Sequence, residues 1–248
     1  MKILVSGLGG AMGKIVGEMC LQGVRGAELA GGVDPFYKGG FEAPCAKSFD
    51  EAITDVDCVI DFSHHSATNA LLTFVKANRL PLVLATTGQT DEERAAIIEA
   101  AKDVPLFFAA NYSLGVALLI ELAKKAAAAM PDAEIEIVEA HHDRKVDSPS
   151  GTALAIAKAL QEVRPEAEIV CGRCGDDTKR SRTEIGISSV RMGNIAGMHE
   201  VMIGTYNQTI TLKHEAHSRA LFAEGALAAA EFLMGKPAGL YDMKSLVE

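Results

Sequence analysis

Met1-Lys2-Ile3-Leu4-Val5-Ser6-Gly7-Leu8-Gly9-Gly10-Ala11-Met12-Gly13 decides how the first half of this chain is read. A short unbroken apolar run, Ile3 to Val5, ends in glycines at 7, 10 and 13, and an amphipathic stretch from Met12 to Leu21 follows. An unbroken run of this length suits a strand buried on both faces, and the glycines let the chain turn tightly into a helix. The same unit recurs over about 110 residues. Apolar runs at Leu29 to Val33, Cys58 to Phe62, Pro81 to Ala85 and Pro105 to Ala109 are separated by helix-like stretches at Ala67 to Ala77 and Glu92 to Ala101. Strands alternating with helices predict a parallel sheet covered on both faces.

The pattern changes after Asn111. Leu114 to Met130 reads as a long Ala- and Leu-rich helix, with Ala126 to Ala129 adding helix propensity. Glu134 to Glu139 then alternates polar and apolar with period two, which predicts a half-buried strand in a mostly antiparallel or mixed sheet. Further strands are expected at Glu184 to Arg191, Glu200 to Ile203 and Gln208 to Leu212, and a last helix at Ser218 to Met234. Arg173 to Arg182 is charged and reads as a mobile loop. The expected fold class is α/β, with one domain at 1–112 plus 218–248 and a second, mixed-sheet domain at 113–217.

Composition excludes several classes. The net charge is −9, with 24 basic and 33 acidic residues, which disfavours nucleic acid as a partner. No apolar run approaches the ~20 residues of a membrane span, and the start lacks a secretory signal pattern, so a cytoplasmic location is expected. Five cysteines, an odd number, point to reduced thiols rather than a disulfide framework.

Glycines at the mouth of a helix let the backbone approach a pyrophosphate, whose charge the helix N-terminus then favours. The spacing here is G-x-x-G-x-x-G rather than G-x-G-x-x-G, so a ligand-free turn is the competing reading of the loop alone. Asp34 adds weight to the cofactor reading. It ends the second apolar run about 20 positions beyond Gly13, where a carboxylate would accept hydrogen bonds from the adenosine ribose. It would also repel a 2′-phosphate, and Pro35 rather than an arginine follows. NADH is therefore expected to be preferred, with NADPH possible if Lys14 or Lys38 rescues the phosphate.

Glu139-Ala140-His141-His142-Asp143-Arg144-Lys145-Val146-Asp147-Ser148-Pro149-Ser150-Gly151-Thr152-Ala153 carries the second signal. A strand ends near Ala140 and a helix begins near Thr152. His141, His142, Arg144 and Lys145 lie within five positions, Ser150 is placed to cap, and the Gly151 and Thr152 amides open the helix. This combination suits a carboxylate-bearing substrate. Histidine can donate a proton near neutrality, and a lysine crowded by cations has its pKa lowered and can do the same. The competing reading is a solvated charged turn before an ordinary capped helix. A metal is not expected, because adjacent histidines on an extended chain face opposite ways.

This segment resembles the dihydrodipicolinate reductase signature E-x-H-H-x-x-K-x-D-x-P-S-G-T-A at every specified position. Gly7 to Gly13 looks like that family's cofactor loop. Asp61-Phe62-Ser63, Ala85-Thr86-Thr87-Gly88, Ala109-Ala110-Asn111-Tyr112-Ser113, Arg191-Met192-Gly193, Gly197-Met198-His199 and Ser218-Arg219 are similar to its later landmarks, in order. The resemblance implies a Rossmann-type dinucleotide-binding domain with a second mixed-sheet α/β domain for substrate binding and oligomerisation, assembled as a homotetramer. It implies His141 and Lys145 as the proton-donating pair, and His142, Gly151 and Thr152 as holders of a small dicarboxylate substrate. Gly7, Leu8, Gly9, Gly10, Ala11 and Met12 would cradle the pyrophosphate and Asp34 the ribose. Ala85, Thr86, Thr87, Ala109, Ala110, Asn111 and Tyr112 would line the nicotinamide side. The reaction implied is reduction of the cyclic imine made from pyruvate and aspartate semialdehyde, with loss of water. Hydride goes to ring C4 and a proton to the adjacent carbon. The chain departs from the family's usual pattern at Ala11, where a basic residue is common, at His65 for a common proline, and at Met198 for a common glutamate.

Cys171-Gly172-Arg173-Cys174 lacks the further ligands a zinc site needs. His199, His214 and His217 are expected to serve the fold or an interface, and Met192, Met198 and Met202 to pack. Two other functions compete. One is another two-domain NAD(P)-dependent dehydrogenase acting on a small carboxylate, and the other is a cofactor-sensing regulator without catalysis.

Overall fold

A computed structural model describes residues 1–176 and 179–247, in two compact units. Met1–Ser113 and Ala220–Glu248 form the first, and Leu114–Arg219 the second. In the first unit the chain runs β1 (Lys2–Ser6), α1 (Ala11–Leu21), β2 (Glu28–Val33), β3 (Cys45–Ala46), β4 (Cys58–Asp61), α2 (Thr68–Asn78), β5 (Leu82–Leu84), α3 (Asp91–Ala100) and β6 (Pro105–Phe108). The second unit holds α4 (Leu114–Ala129), β7 (Glu134–His141), α5 (Gly151–Gln161), β8 (Glu168–Cys171), β9 (Glu184–Arg191), β10 (Gly197–Thr205) and β11 (Gln208–Ala216). The chain then returns to the first unit with α6 (Ala220–Leu233), β12 (Gly239–Tyr241) and α7 (Met243–Val247).

The first sheet has the order β12-β6-β5-β4-β1-β2-β3, and every pair is parallel. Leu4, Val59, Leu82, Leu84 and Leu106 turn to one face, where they pack with Leu71, Phe74 and Val75 of α2 and Ile97 of α3. Ile3, Val5 and Ile60 point the other way by strand alternation and are equally buried. Burial on both faces explains why these strands read as unbroken apolar runs rather than alternating ones. α1 and α6 pack against each other, and α6 also covers β4, β5 and β6.

The β1–α1 turn requires glycine for a steric reason. A Cβ on Gly13 would lie 2.0 Å from the Gly7 carbonyl oxygen. The first turn of α1 can close onto the loop only because nothing projects from position 13.

The second sheet, β11-β10-β7-β9-β8, is mixed: β10 runs antiparallel to β7 and β11, while β7, β9 and β8 are parallel. One face is apolar: Ile135, Ile137, Ile185, Ile187, Val201 and Ile203 pack against Leu119 and Ala123 of α4 and Ile156 and Leu160 of α5. β10 and β11 form a hairpin paired from Gly197↔Ala216 to Thr205↔Gln208, so both strands run longer than their apolar cores predict. The expected loop at 173–182 has no regular structure in its described part; Asp177 and Thr178 lie outside the described residues. Among the described residues, no helix is long and apolar enough to cross a membrane.

Gly13→Ala should lower stability by at least about 1–3 kcal/mol, because the clash is with backbone rather than with a movable side chain. Urea denaturation measures this. An unchanged midpoint would show that α1 does not seat on the glycine turn as described.

Candidate active site

At one end of the second sheet its apolar face becomes polar. β7 continues from Ile135 and Ile137 into Glu139 and His141 on the same side. In register beside them β9 brings Ser189 and Arg191, and β10 brings His199 opposite Glu139. Five polar residues thus occupy rows that are isoleucine and valine further along, and α5 begins over them.

Glu139 is fully buried and is the hub of this cluster. Arg191 donates to both its oxygens, at 2.8 and 2.9 Å. The Ser150 amide donates to Oε1 at 3.1 Å, and His141 Nδ1 lies 2.6 Å from Oε2. Burial by itself raises the carboxyl pKa, but hydrogen bonds from Arg191, Ser189, His141 and the Ser150 amide outweigh it and hold the group down at about 2. Ser150 caps α5, its hydroxyl accepting from the Ala153 amide at 3.2 Å. The same hydroxyl meets His199 Nε2 at 3.1 Å. His199 stands edge-on to His141, with ring centroids 5.2 Å apart. Burial first, then the neighbouring His141, pushes the His199 pKa down to about 4, so it is neutral at pH 7.

The loop from 142 to 150 folds back on the β9–β10 turn. The His142 amide donates to Ile195 O at 2.8 Å, the Asp143 amide to Gly193 O, and Arg144 to Asn194 Oδ1 at 2.6 Å. Arg144 turns to Asp143 and Asn194, while Lys145 Nζ pairs with Asp147 Oδ1 at 2.9 Å. Lys145 first, and the Gly151 amide among smaller causes, lowers the Asp147 pKa. A carboxylate of the chain itself therefore lies against the lysine and the opening of α5. Gly151 and Thr152 form the first turn of that helix, and His142 keeps a buried Nδ1 with no hydrogen-bond partner.

The sequence reading found His141, His142, Lys145, Ser150, Gly151 and Thr152, and the second unit gathers them at this end of its sheet. It missed Glu139 and Arg191 as members of the cluster. Strand alternation from His141 places Glu139 beside it; Arg191 opens the Arg191-Met192-Gly193 landmark, but nothing in that landmark pairs it with a residue 52 positions away in sequence.

The first unit has its own site. A cavity of about 940 Å³ is lined by Gly7, Gly10, Asp34, Phe62, Ser63 and Lys47, among others. No side chain caps α1, which begins after Gly10, and no acidic residue stands in its first turn, so its positive end is not compensated locally. Asp34 accepts from the amides of Gly9 at 2.9 Å and Phe36 at 2.8 Å, which fixes its carboxylate on the cavity wall. Cavity, uncapped helix and carboxylate fit the pyrophosphate and adenosine end of a dinucleotide; Ala85 to Thr87 and Ala109 to Tyr112 are not on this lining. The lysine on the lining is Lys47, the residue after β3; Lys14 and Lys38 are not on it. Leu8 is fully buried, so its part in any cradle falls to its backbone. Ala85, Thr86 and Thr87 follow β5, and Thr86 has a buried hydroxyl with no hydrogen-bond partner. Ala109 to Tyr112 follow β6. The Tyr112 hydroxyl lies 2.9 Å from Leu84 O and 3.1 Å from Phe107 O, which commits that ring to the core. Among the described residues no cluster of histidine, cysteine, aspartate or glutamate is arranged to hold a metal ion, and Cys171 and Cys174 are exposed free thiols.

A covered parallel sheet with a cavity at its glycine turn, joined in one chain to a histidine- and lysine-bearing polar cluster, defines a two-unit oxidoreductase. Comparison with known proteins narrows the class. Residues 1–112 match the family model for the N-terminus of dihydrodipicolinate reductase, and residues 115–247 match that for its C-terminus. The chain belongs to the dihydrodipicolinate reductase family of NAD(P)H-dependent oxidoreductases. The 4-hydroxy-tetrahydrodipicolinate reductase of Caldanaerobacter subterraneus subsp. tengcongensis is 42% identical over 250 residues, covering 100% of this chain and 98% of that one. The enzyme of the same name from Clostridium tetani is 38% identical, covering 99% and 96%. Among solved structures, the dipicolinate-bound dihydrodipicolinate reductase of Paenisporosarcina sp. TG-14 superposes with a TM-score of 0.80 at 25% identity, covering 98% of this chain and 97% of that one.

His199 and Glu139 both contribute to acid stability, alongside other groups held down, His214, Asp147 and Glu93 among them. Each has a folded pKa below its ordinary value, so the unfolded chain binds more protons and stability falls as pH falls. For His199 the window runs from 6.5 down to about 4, and for Glu139 from 4.5 down to about 2. His199→Gln should flatten the pH dependence of unfolding free energy between 6.5 and 4 and leave the lower window in place. Urea titrations across this range measure it. An unchanged slope in the upper window would mean that His199 is not held neutral by burial.

Proposed function

We propose that this chain reduces (2S,4S)-4-hydroxy-2,3,4,5-tetrahydrodipicolinate to (S)-2,3,4,5-tetrahydrodipicolinate and water, in lysine and diaminopimelate synthesis, with His141 and Lys145 as the proton-donating pair. The observation that carries this reading is the loop 139–153. It matches the family signature throughout, and it brings His141, Lys145 and the opening of α5 to one polar end of the sheet. In this reading 1–112 plus 218–248 is the dinucleotide-binding domain, and 113–217 the substrate-binding and tetramerisation domain.

The substrate is a small dicarboxylate. The Gly151 and Thr152 amides and the α5 dipole would take one carboxylate, with His142 beside them. That carboxylate would displace Asp147 from the α5 opening and from Lys145, freeing the ammonium for the substrate. Dipicolinate bound to the Paenisporosarcina relative supports a ligand of this class. When bound, the dinucleotide supplies the hydride. Gly7 to Met12 would hold its pyrophosphate through backbone amides, Asp34 its ribose, and Ala85 to Thr87 with Ala109 to Tyr112 its nicotinamide side. NADH is preferred over NADPH in this account, because Asp34 lies on the cavity wall and repels a 2′-phosphate; Lys47 is the residue that would moderate this. A homotetramer is supported by the sheet face turned away from α4 and α5, where Met198, Ala140 and Val190 form one apolar row across three strands. A cytoplasmic location would keep the five free thiols reduced.

The test generates the substrate in place from pyruvate and aspartate semialdehyde with the preceding synthase and follows cofactor oxidation. Rapid oxidation that depends on the synthase is expected, with kcat/KM for NADH about tenfold or more above that for NADPH, a difference of at least ~1.4 kcal/mol. Equal efficiency with both cofactors would remove the NADH preference. The double variant His141→Ala, Lys145→Ala should lose at least about 10²–10⁴ in kcat while its Kd for NADH stays within about twofold. Turnover near wild type would remove the pair from the mechanism.

A further inference from the structure

His141 has two ring nitrogens, and which of them faces the chemistry depends on where its proton is held. Nδ1 lies 2.6 Å from Glu139 Oε2. Both oxygens of that carboxylate already accept other hydrogen bonds, Oε2 from Arg191 and Oε1 from Arg191 and the Ser150 amide. Protonating the carboxylate would weaken the contacts to a part-buried guanidinium, so the proton shared at 2.6 Å stays on nitrogen. The other nitrogen, Nε2, lies over Gly197, where an added Cβ would sit only 3.1 Å away. Glycine at that position leaves the approach to Nε2 clear.

We propose that Glu139 is a positioning residue for the reduction: held by Arg191 and the Ser150 amide, it fixes the His141 proton on Nδ1 and makes Nε2 the nitrogen that delivers a proton to the substrate. The imidazolium gives its Nε2 proton to the ring carbon next to the one that accepts hydride. It is left neutral with Nδ1–H bonded to Glu139, and Nε2 takes a proton back from water. Of the other charged groups nearby, Arg191 is engaged by Glu139, and Lys145, paired with Asp147 here, is the partner donor that substrate would free. His199 is neutral, with Nε2 on Ser150, and His214 lies beyond it in register on β11. Because Arg191 balances the charge of Glu139, the carboxylate acts by orientation and choice of tautomer more than by raising the basicity of His141.

The proton's destination rests on the reductase reading, but the tautomer can be measured without substrate, so the failure of one is distinguishable from the failure of the other. Long-range proton–nitrogen spectra of protein labelled with ¹⁵N-histidine, recorded at alkaline pH, read each ring nitrogen; the His141→Gln spectrum identifies the signals. The expected pattern is a protonated, pyrrole-type Nδ1 and a bare, pyridine-type Nε2. In Glu139→Gln the side-chain amide can donate to Nδ1, so the pattern should invert. kcat should fall by about 10²-fold or more with substrate KM within about twofold. A native His141 protonated on Nε2, or a folded Glu139→Gln with wild-type kcat, would overturn the proposal. If that variant does not fold, the native spectrum alone decides.

Discussion

A carboxylate removed from water costs several kcal/mol unless cations and amides replace its hydration. Glu139 meets that condition through one bidentate arginine from the neighbouring strand, one amide at the start of α5, the Ser189 side chain and one imidazole on its own strand. These partners come from separate parts of the chain, so satisfying one buried charge fixes where β7, β9 and α5 meet. Ser150 extends the constraint: its amide serves Glu139, while its hydroxyl serves the helix cap and His199. The polar end of an otherwise apolar sheet face is thereby rigid, and a site that must hold a proton donor in one orientation needs that rigidity.

Each unit opens a helix N-terminus within its polar site, by opposite means. At α1 the site is made by leaving side chains out. Gly10 offers no cap, and Gly13 lets the first turn close onto the Gly7 carbonyl. At α5 side chains are supplied. Ser150 caps the helix, and Lys145 stands ready with Asp147 as its partner. The first arrangement suits a phosphate pair that needs close backbone approach, and the second a carboxylate that must be gripped and exchanged.

Much of this was legible in the sequence because it rests on local constraints. Gly7, Gly10, Gly13 and Asp34 are separated by distances that chain geometry sets, and the buried parallel strands carry their composition openly. The short strands Cys45–Ala46 and Gly239–Tyr241 were not legible. A two- or three-residue strand is defined by the neighbour it pairs with, Gly32–Val33 and Pro105–Phe107 respectively, and not by its own residues. The Glu139–Arg191 pair was hidden for the same reason, since the register of β7 against β9 decides it. Lys145 shows a different failure. Its neighbours in sequence are cations, yet its partner in space is Asp147, because the loop turns Arg144 away toward Asn194.

If hydride comes from a nicotinamide dinucleotide and the proton from a residue in exchange with water, isotope transfer separates the two sources. The reaction is run once with NADH deuterated at the transferable position in ordinary water, and once with ordinary NADH in heavy water, and the products are compared by NMR and mass spectrometry. One deuteron from the cofactor is expected on ring C4 in the first case, and one from solvent on the adjacent carbon in the second. Product without label from the cofactor, or with the cofactor's label at the neighbouring carbon, would contradict this assignment of sources.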